Sequence, residues 1–303
     1  NDTLTGNARE NELEGGAGDD TLAGRESRDH YIFVDGADRD LGSDTLTELA
    51  NGSNTDFLRF DGFGDGITVN LGTTSQQTVH ANLKITLNAD DRFEQVRGTR
   101  FDDVITGNGA NNFVNAGDGR DVIVGLGGND TLAGNAGDDT LEGGAGDDSL
   151  FGGFGADTFM FDRAADDESL GIDRLMADSN GRNDAGDTLD FSGFLEAIQV
   201  DLSSTAKQFV DAGKTDLEIE IKLSSTDSVL DPGDTFENVI GSDFADTIIG
   251  NARDNIFEGG LGDDSLSGGI GNDTYVFPRT TNENLGADTI DEGTGASNDE
   301  NDT

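Results

Sequence analysis

The chain has 303 residues, 63 acidic against 18 basic, a formal charge of −45, and neither Cys nor Trp. Disulfides and thiolate metal centres are thereby excluded, and nucleic acid and anionic membrane surfaces are poor partners for so negative a chain. A hydrophobic content of 33% is low for a compact globule, yet 18 Phe are many for a disordered acidic chain, so a narrow core is expected. No apolar run is long enough to span a membrane, and residue 1 does not begin a signal peptide.

Residues 2–32 read as nonapeptides: a half copy, then GNARENELE, GGAGDDTLA and GRESRDHYI. Their sixth positions are Asp2, Asn11, Asp20 and Asp29. Because the chain starts inside a repeat, it is expected to be a piece of a longer polypeptide. The stretch 1–33 is read as the tail of a first array, closed by the aromatic strand Tyr31-Ile32-Phe33. A β linker, 34–97, follows. It holds LGSDTL (41–46), LRFDGFGDGITVNL (58–71), the alternating NLKITLN (82–88) and RFEQVRG (92–98).

Residues 98–161 form the longest array, seven nonapeptides without an insertion or loss. Position 6 is Asp103, Asn112, Asp121, Asp130, Asp139, Asp148 and Asp157; position 8 is Ile105, Val114, Ile123, Leu132, Leu141, Leu150 and Phe159. A strict nine-residue period implies copies that stack only on their neighbours. The Gly- and Asp-rich first six residues suit a tight turn with positive φ. The last three suit a very short strand around one inward residue. Two nonapeptides then make one coil of a flattened right-handed roll. Copies i and i+2 stack about 4.8 Å apart, bringing Asp103 over Asp121, Asp121 over Asp139 and Asp139 over Asp157. On the other edge lie Asn112, Asp130 and Asp148. Bare carboxylates about 4 Å apart repel by about 4 kcal/mol at an effective dielectric near 20. Burying one aliphatic side chain returns only about 1.5–3 kcal/mol. A cation between the acids is therefore expected. Oxygen-only donors favour calcium over zinc or copper, and over magnesium, which keeps its waters. A disordered Gly/Asp linker would have no use for an apolar residue at every ninth position.

A second β linker, 162–240, repeats the first: LGIDRL (170–175), LDFSGFLEAIQVDL (189–202), LEIEIKL (217–223) and TFENVIG (235–241). LEIEIKL, with Glu218, Glu220 and Lys222 on one face, fits an antiparallel hairpin. A third array, 241–277, has four copies with Asp246, Asn255, Asp264 and Asp273 at position 6. Residues 278–303 begin a further linker, with LGADTI (285–290) and a closing NDENDT that repeats the lead-in NDAGDT (183–188). The chain is thus a tandem of a larger unit. Its linkers are expected to continue the solenoid as wider coils, with a separate β-sandwich as the alternative. In all three arrays the second position 6 is Asn (Asn11, Asn112, Asn255). An amide carries no charge, so these copies are read as caps with weak or empty sites.

GGAGDDTLA (15–23), GGAGDDSLF (143–151) and GGLGDDSLS (259–267) match G-G-x-G-x-D-x-U-x at every defined position. They resemble the repeats-in-toxin (RTX) family, whose repeat is a known calcium-binding β-helix signature. The resemblance implies an all-β, right-handed parallel β-roll or β-solenoid with several calcium ions. It implies as ligands Asp2, Asp20, Asp29, Asp103, Asp121, Asp130, Asp139, Asp148, Asp157, Asp246, Asp264 and Asp273, with Asn112 and Asn255 as weaker members. It also implies type I export of an unfolded chain that folds on extracellular calcium.

No enzyme is expected. His30, read as an exposed roll residue, and His80 lack a Ser or Cys elbow, and Cys is absent. No Gly-rich turn ends in GK[ST]. The function expected is a stalk, fibre or adhesin-shaft segment of a large secreted or surface protein. Its partners would be calcium, other copies of itself or cell-surface components, with no nucleic acid and no membrane insertion. The alternatives are an accessory module of a secreted epimerase-, protease- or lipase-like enzyme, and a surface-layer or filament protomer.

Overall fold

A computed structural model describes residues 1–35, 40–48, 55–88, 93–162, 170–176, 186–204, 206–210, 217–221, 236–277 and 286–291. Lys222 and the closing NDENDT lie outside the described residues, as do 183–185, Leu285 and parts of both linkers. Among the described residues all regular structure is β-strand, and no helix is long and apolar enough to cross a membrane. The fold is an all-β parallel β-roll. The chain divides into two compact units, Asn1–Thr140 and Leu141–Thr303.

In the first unit the strands pair in parallel at the expected two-copy step. Val104–Asn108 pairs with Val122–Gly127 with Ile105 opposite Ile123, and Phe113–Asp118 pairs with Thr131–Ala136 with Val114 opposite Leu132. These strands run to five or six residues rather than three. They continue into positions 1–3 of the next copy, where the ladder pairing persists although position 2 turns to positive φ at Gly117, Leu126 and Asn135. Three-residue strands do occur in the third array, as at Thr247–Ile249 and Ser265–Ser267.

The linkers continue the roll. Val69 stands opposite Ile105, and Tyr31, Leu58, Val96 and Val114 form one ladder. Leu22, Leu46 and Leu87 form another. In the second unit Phe159, Leu189, Val239, Phe257 and Tyr275 line up, as do Val200, Ile248, Leu266 and Ile290. Linker residues thus take the slot that position 8 fills in the repeats. All but Ile290 are buried. The sandwich alternative is not what forms. Among the described residues the antiparallel pairings are made by short side strands: Gln77–His80 on Leu83–Leu87, and Gln208–Phe209 on Leu217–Ile221. LEIEI therefore has an antiparallel neighbour on one edge and the parallel strand Gly171–Met176 on the other.

Aromatic rings fill the wider coils. Phe33 stacks on Phe60 with centroids 5.2 Å apart, and Phe161 on Phe191 at 4.8 Å. Phe63 and Phe194 then close edge-on against Phe60 and Phe191. A coil with more residues encloses more space, and a ring fills it more economically than an aliphatic chain. His30 is half-buried rather than exposed; its ring lies on Phe57 and its Nε2 is 3.1 Å from Glu10.

With about one inward side chain per strand, a core vacancy has little surrounding structure to relax into it. Ile123→Ala should cost about 2–5 kcal/mol, read as a lowered denaturant midpoint of the calcium-saturated chain.

Candidate metal centre

Two kinds of turn carry the position-6 residues. In the first kind, positions 2 and 4 both have positive φ: Gly16 and Gly18, Gly117 and Gly119, Gly144 and Gly146, Gly260 and Gly262. The conformation is imposed by the stack, because Arg25, Ser27, Leu126 and Asn135 adopt it too. Position 1 is Gly for another reason. A Cβ on Gly15 would stand 2.5 Å from Asp20 Oδ2, and one on Gly134 2.1 Å from Asp139 Oδ2. The carboxylate leans back over the first residue of its own turn, which is Gly in every copy except that of Asp121, where it is the small Ala116. Positive φ is therefore a property of positions 2 and 4 and not of the whole six-residue turn.

The carboxylates are buried and stitched from coil to coil. Asp103 N–H donates to Asp121 Oδ1 at 2.8 Å, and Asp121 N–H donates to Asp139 Oδ1 at 2.8 Å. Asn112 donates to Asp130, Asn11 to Asp29, Asp246 to Asp264 and Asn255 to Asp273 in the same way. The stacking expected from the period is thus present, and each pair is bridged by an amide rather than merely juxtaposed. Only one carboxylate oxygen is used. Oδ2 of Asp20, Asp29, Asp121 and Asp264 is buried and accepts no hydrogen bond. A buried ionised oxygen without a donor is costly.

In the second kind of turn no residue has positive φ, and the spare oxygen is taken. Thr99 N–H donates to Asp103 Oδ2 at 2.6 Å, and the Thr99 hydroxyl bonds Oδ1. Ser242 does the same for Asp246. Asn112 Oδ1 accepts from Asn108 N–H, and Asn255 Oδ1 from Asn251 N–H. The amide nitrogens then serve the preceding linker strand: Asn108 Nδ2 donates to Phe93 O, Asn251 Nδ2 to Phe236 O and Asn255 Nδ2 to Glu237 O. An amide is required because it donates as well as accepts. Asn11 likewise accepts from Asn7 N–H. Asp103, Asn112, Asp246 and Asn255 were expected as ligands, but each has its inward oxygen engaged by its own turn. Asp2, at the chain start, is exposed and donates its N–H to Asp20.

Two sets of residues escaped the sequence reading. The linkers carry the carboxylate ladder onward: Asp20 N–H donates to Asp44, Asp29 to Asp56, Asp148 to Asp173, Asp157 to Asp187 and Asp264 to Asp288. LGSDTL, LGIDRL and LGADTI are thus disguised copies of the turn. Gly42, Gly171 and Gly286 keep positive φ, and a Cβ there would strike Gly18, Gly146 or Gly262 backbone at 2.5 Å or less. The signal was the acid two residues after that Gly and the apolar residue two further on. The second set is position 5, an outer ladder: Asp102 accepts from Arg120 N–H, Asn111 from Asn129 N–H and Asp254 from Asn272 N–H.

Burial, with neighbouring acids adding to it, raises several of these carboxyls, Asp44, Asp121, Asp246 and Asp264 among them, above their ordinary value of 3.8. Asp121 is pushed to about 7, with Asp103, Asp102 and Asp118 contributing. Asp44 and Asp246 reach about 6. The donor set fits calcium: hard oxygens, one of them without a donor, in a turn opened by glycine.

The family model for the RTX calcium-binding nonapeptide repeat matches residues 1–31, 89–123, 124–159 and 240–275. The chain carries RTX calcium-binding nonapeptide repeats, and that repeat family binds calcium ions. These repeats indicate a calcium-binding repeat protein; repeats of this kind are typically non-catalytic and usually occur in secreted proteins. No curated protein matches the chain.

The raised carboxyls fix the sign of the pH dependence. Their stabilising contribution in calcium-free solution is full below pH 3.8 and is lost as pH rises through about 6 to 7. The β-type circular dichroism of the chain in EDTA should therefore strengthen on acidification across that window. Saturating calcium should remove the dependence at its upper end.

Proposed function

We propose that the chain is a calcium-dependent structural segment of a large secreted or cell-surface protein, acting as stalk, fibre or adhesin shaft. The observation that carries the reading is the buried, donorless Oδ2 of Asp20, Asp121 and Asp264, repeated in glycine-opened turns. The ligands are assigned to the positive-φ turns: Asp20, Asp29, Asp121, Asp130, Asp139, Asp148, Asp157, Asp264 and Asp273. Asp103, Asn112, Asp246 and Asn255 instead close the ends of arrays without metal, which is the cap role.

A charge of −45 opposes collapse. Divalent ions lower that charge where it is densest, and binding energy becomes folding energy. Extracellular modules of this kind bind calcium at about 10⁻⁴ to 10⁻³ M, so the chain would stay open at cytosolic calcium and fold outside. The arrays at 98–161 and 241–277 hold seven and four nonapeptides, and a stack whose copies touch only their neighbours tolerates such changes of length, which suits a spacer.

EDTA should abolish most of the β-type circular dichroism, and millimolar calcium should restore it; a spectrum indifferent to both would refute the reading. Asp121→Asn keeps the acceptor for Asp103 N–H but removes a charge. It should lower calcium affinity in calorimetry by about tenfold or more without lowering stability in EDTA. Asp103→Asn should leave the affinity nearly unchanged, because that side chain is already saturated.

A further inference from the structure

One acidic cluster is not made of two stacked nonapeptide turns. Asp29 belongs to the last copy of the first array, Glu48 ends the strand Gly42–Glu48, and Asp56 begins the strand Asp56–Arg59. All three are buried, and one oxygen from each lies within 4.8 Å of the others. That limit is twice a calcium–oxygen distance of about 2.4 Å. Asp29 Oδ2 accepts no hydrogen bond. It converges with Glu48 Oε1 over Gly24, where a Cβ would stand 2.4 Å from the first and 2.3 Å from the second. Asp29 Oδ1 is held by Asn11 N–H, and Asp56 Oδ1 by Asp29 N–H. Among the described residues no Lys or Arg is ion-paired with Asp29 or Asp56.

Tyr31 orients the third carboxylate. Its hydroxyl accepts from Gly24 N–H at 2.9 Å and donates to Glu48 Oε1, while Arg25 N–H holds Oε2 at 3.2 Å. Tyr31 occupies position 8, where an aliphatic residue would fill the core equally well. The chain also contains its own comparison. At the corresponding steps the second unit of the tandem has Phe159 and Ala177, and the third has Tyr275 and Glu292. Hydroxyl and carboxylate are present together or absent together. Tyr275 repeats the bond from the position-1 glycine, accepting from Gly268 N–H at 3.0 Å.

We propose that Asp29, Glu48 and Asp56 form a calcium site of their own at the junction of the first array with its linker, oriented by Tyr31. The site ties array to linker where the nine-residue period is lost. It is encoded by Tyr at position 8 of a closing copy and Glu six residues after the LGxD glycine. The proposal rests on the calcium reading above but is separable from it.

The chain has two Tyr and no Trp, so terbium, a calcium substitute, is sensitised by tyrosine only beside Tyr31 or Tyr275. The full chain carrying Tyr275→Phe leaves Tyr31 as the one antenna. Tyrosine-excited terbium emission should titrate in, compete with calcium, and shift to at least about tenfold higher terbium when Glu48→Gln is added. Calcium-dependent circular dichroism should survive in that variant. If Glu48→Gln fails to fold, Glu48→Asp keeps the charge and withdraws the oxygen, and the same shift is expected. An identical titration with and without Glu48, or no sensitised emission from a calcium-folded chain, overturns the proposal. Absence of any calcium-dependent folding in the parent chain overturns the broader reading instead.

Discussion

One bond organises this molecule: the amide of each position-6 residue donates to the carboxylate of the residue stacked upon it. Because the donor sits on the backbone, it fixes the step between coils. Because the acceptor is a carboxylate, it leaves one oxygen over. For Asp20, Asp29, Asp121 and Asp264 that second oxygen is buried and accepts no hydrogen bond. The rest of the turn is built around it. Position 1 stays small, Gly or Ala116, where the carboxylate leans over it. Positions 2 and 4 take positive φ so that the backbone clears the neighbouring coil. The spare oxygen is the atom we propose as the calcium ligand.

The turns without positive φ satisfy the same oxygen from within the turn. There the chain folds tighter, and position 2 supplies its own N–H, with a Thr or Ser hydroxyl or an Asn amide beside it. These turns lie where a linker becomes an array. They pass the hydrogen-bonding needs of Phe93 and Phe236 carbonyls to Asn108 and Asn251. The same side-chain position therefore serves two purposes, distinguished by the backbone around it. The carboxylate ladder also crosses into the linkers, through Asp44, Asp56, Asp173 and Asp187. Array and linker are one kind of structure with different coil lengths.

Much of this was legible in the residues. The nine-residue period gave the two-copy coil, the inward position 8 and the superposition of Asp103, Asp121 and Asp139. The correspondence of the two linkers was visible as well, and their matching aromatic pairs, Phe33 with Phe60 and Phe161 with Phe191, bear it out. Less legible was the continuation of the ladder through LGxD, because an altered spacing hides an unchanged geometry. The Asn of the second copy looked like a missing charge. Its importance lies in a donor that faces a strand far away in sequence.

What the chain's letters determined alone is the period, the inward side chain and the hard-oxygen chemistry, since each follows from local repetition and residue type. Tertiary structure decided which carboxylates keep an oxygen to spare. That depends on whether position 2 can aim its N–H at them, which is a matter of backbone conformation under the stack. It also brought together Asp29, at the turn before the strand His30–Ile32, Glu48 and Asp56, which the nine-residue period does not place side by side.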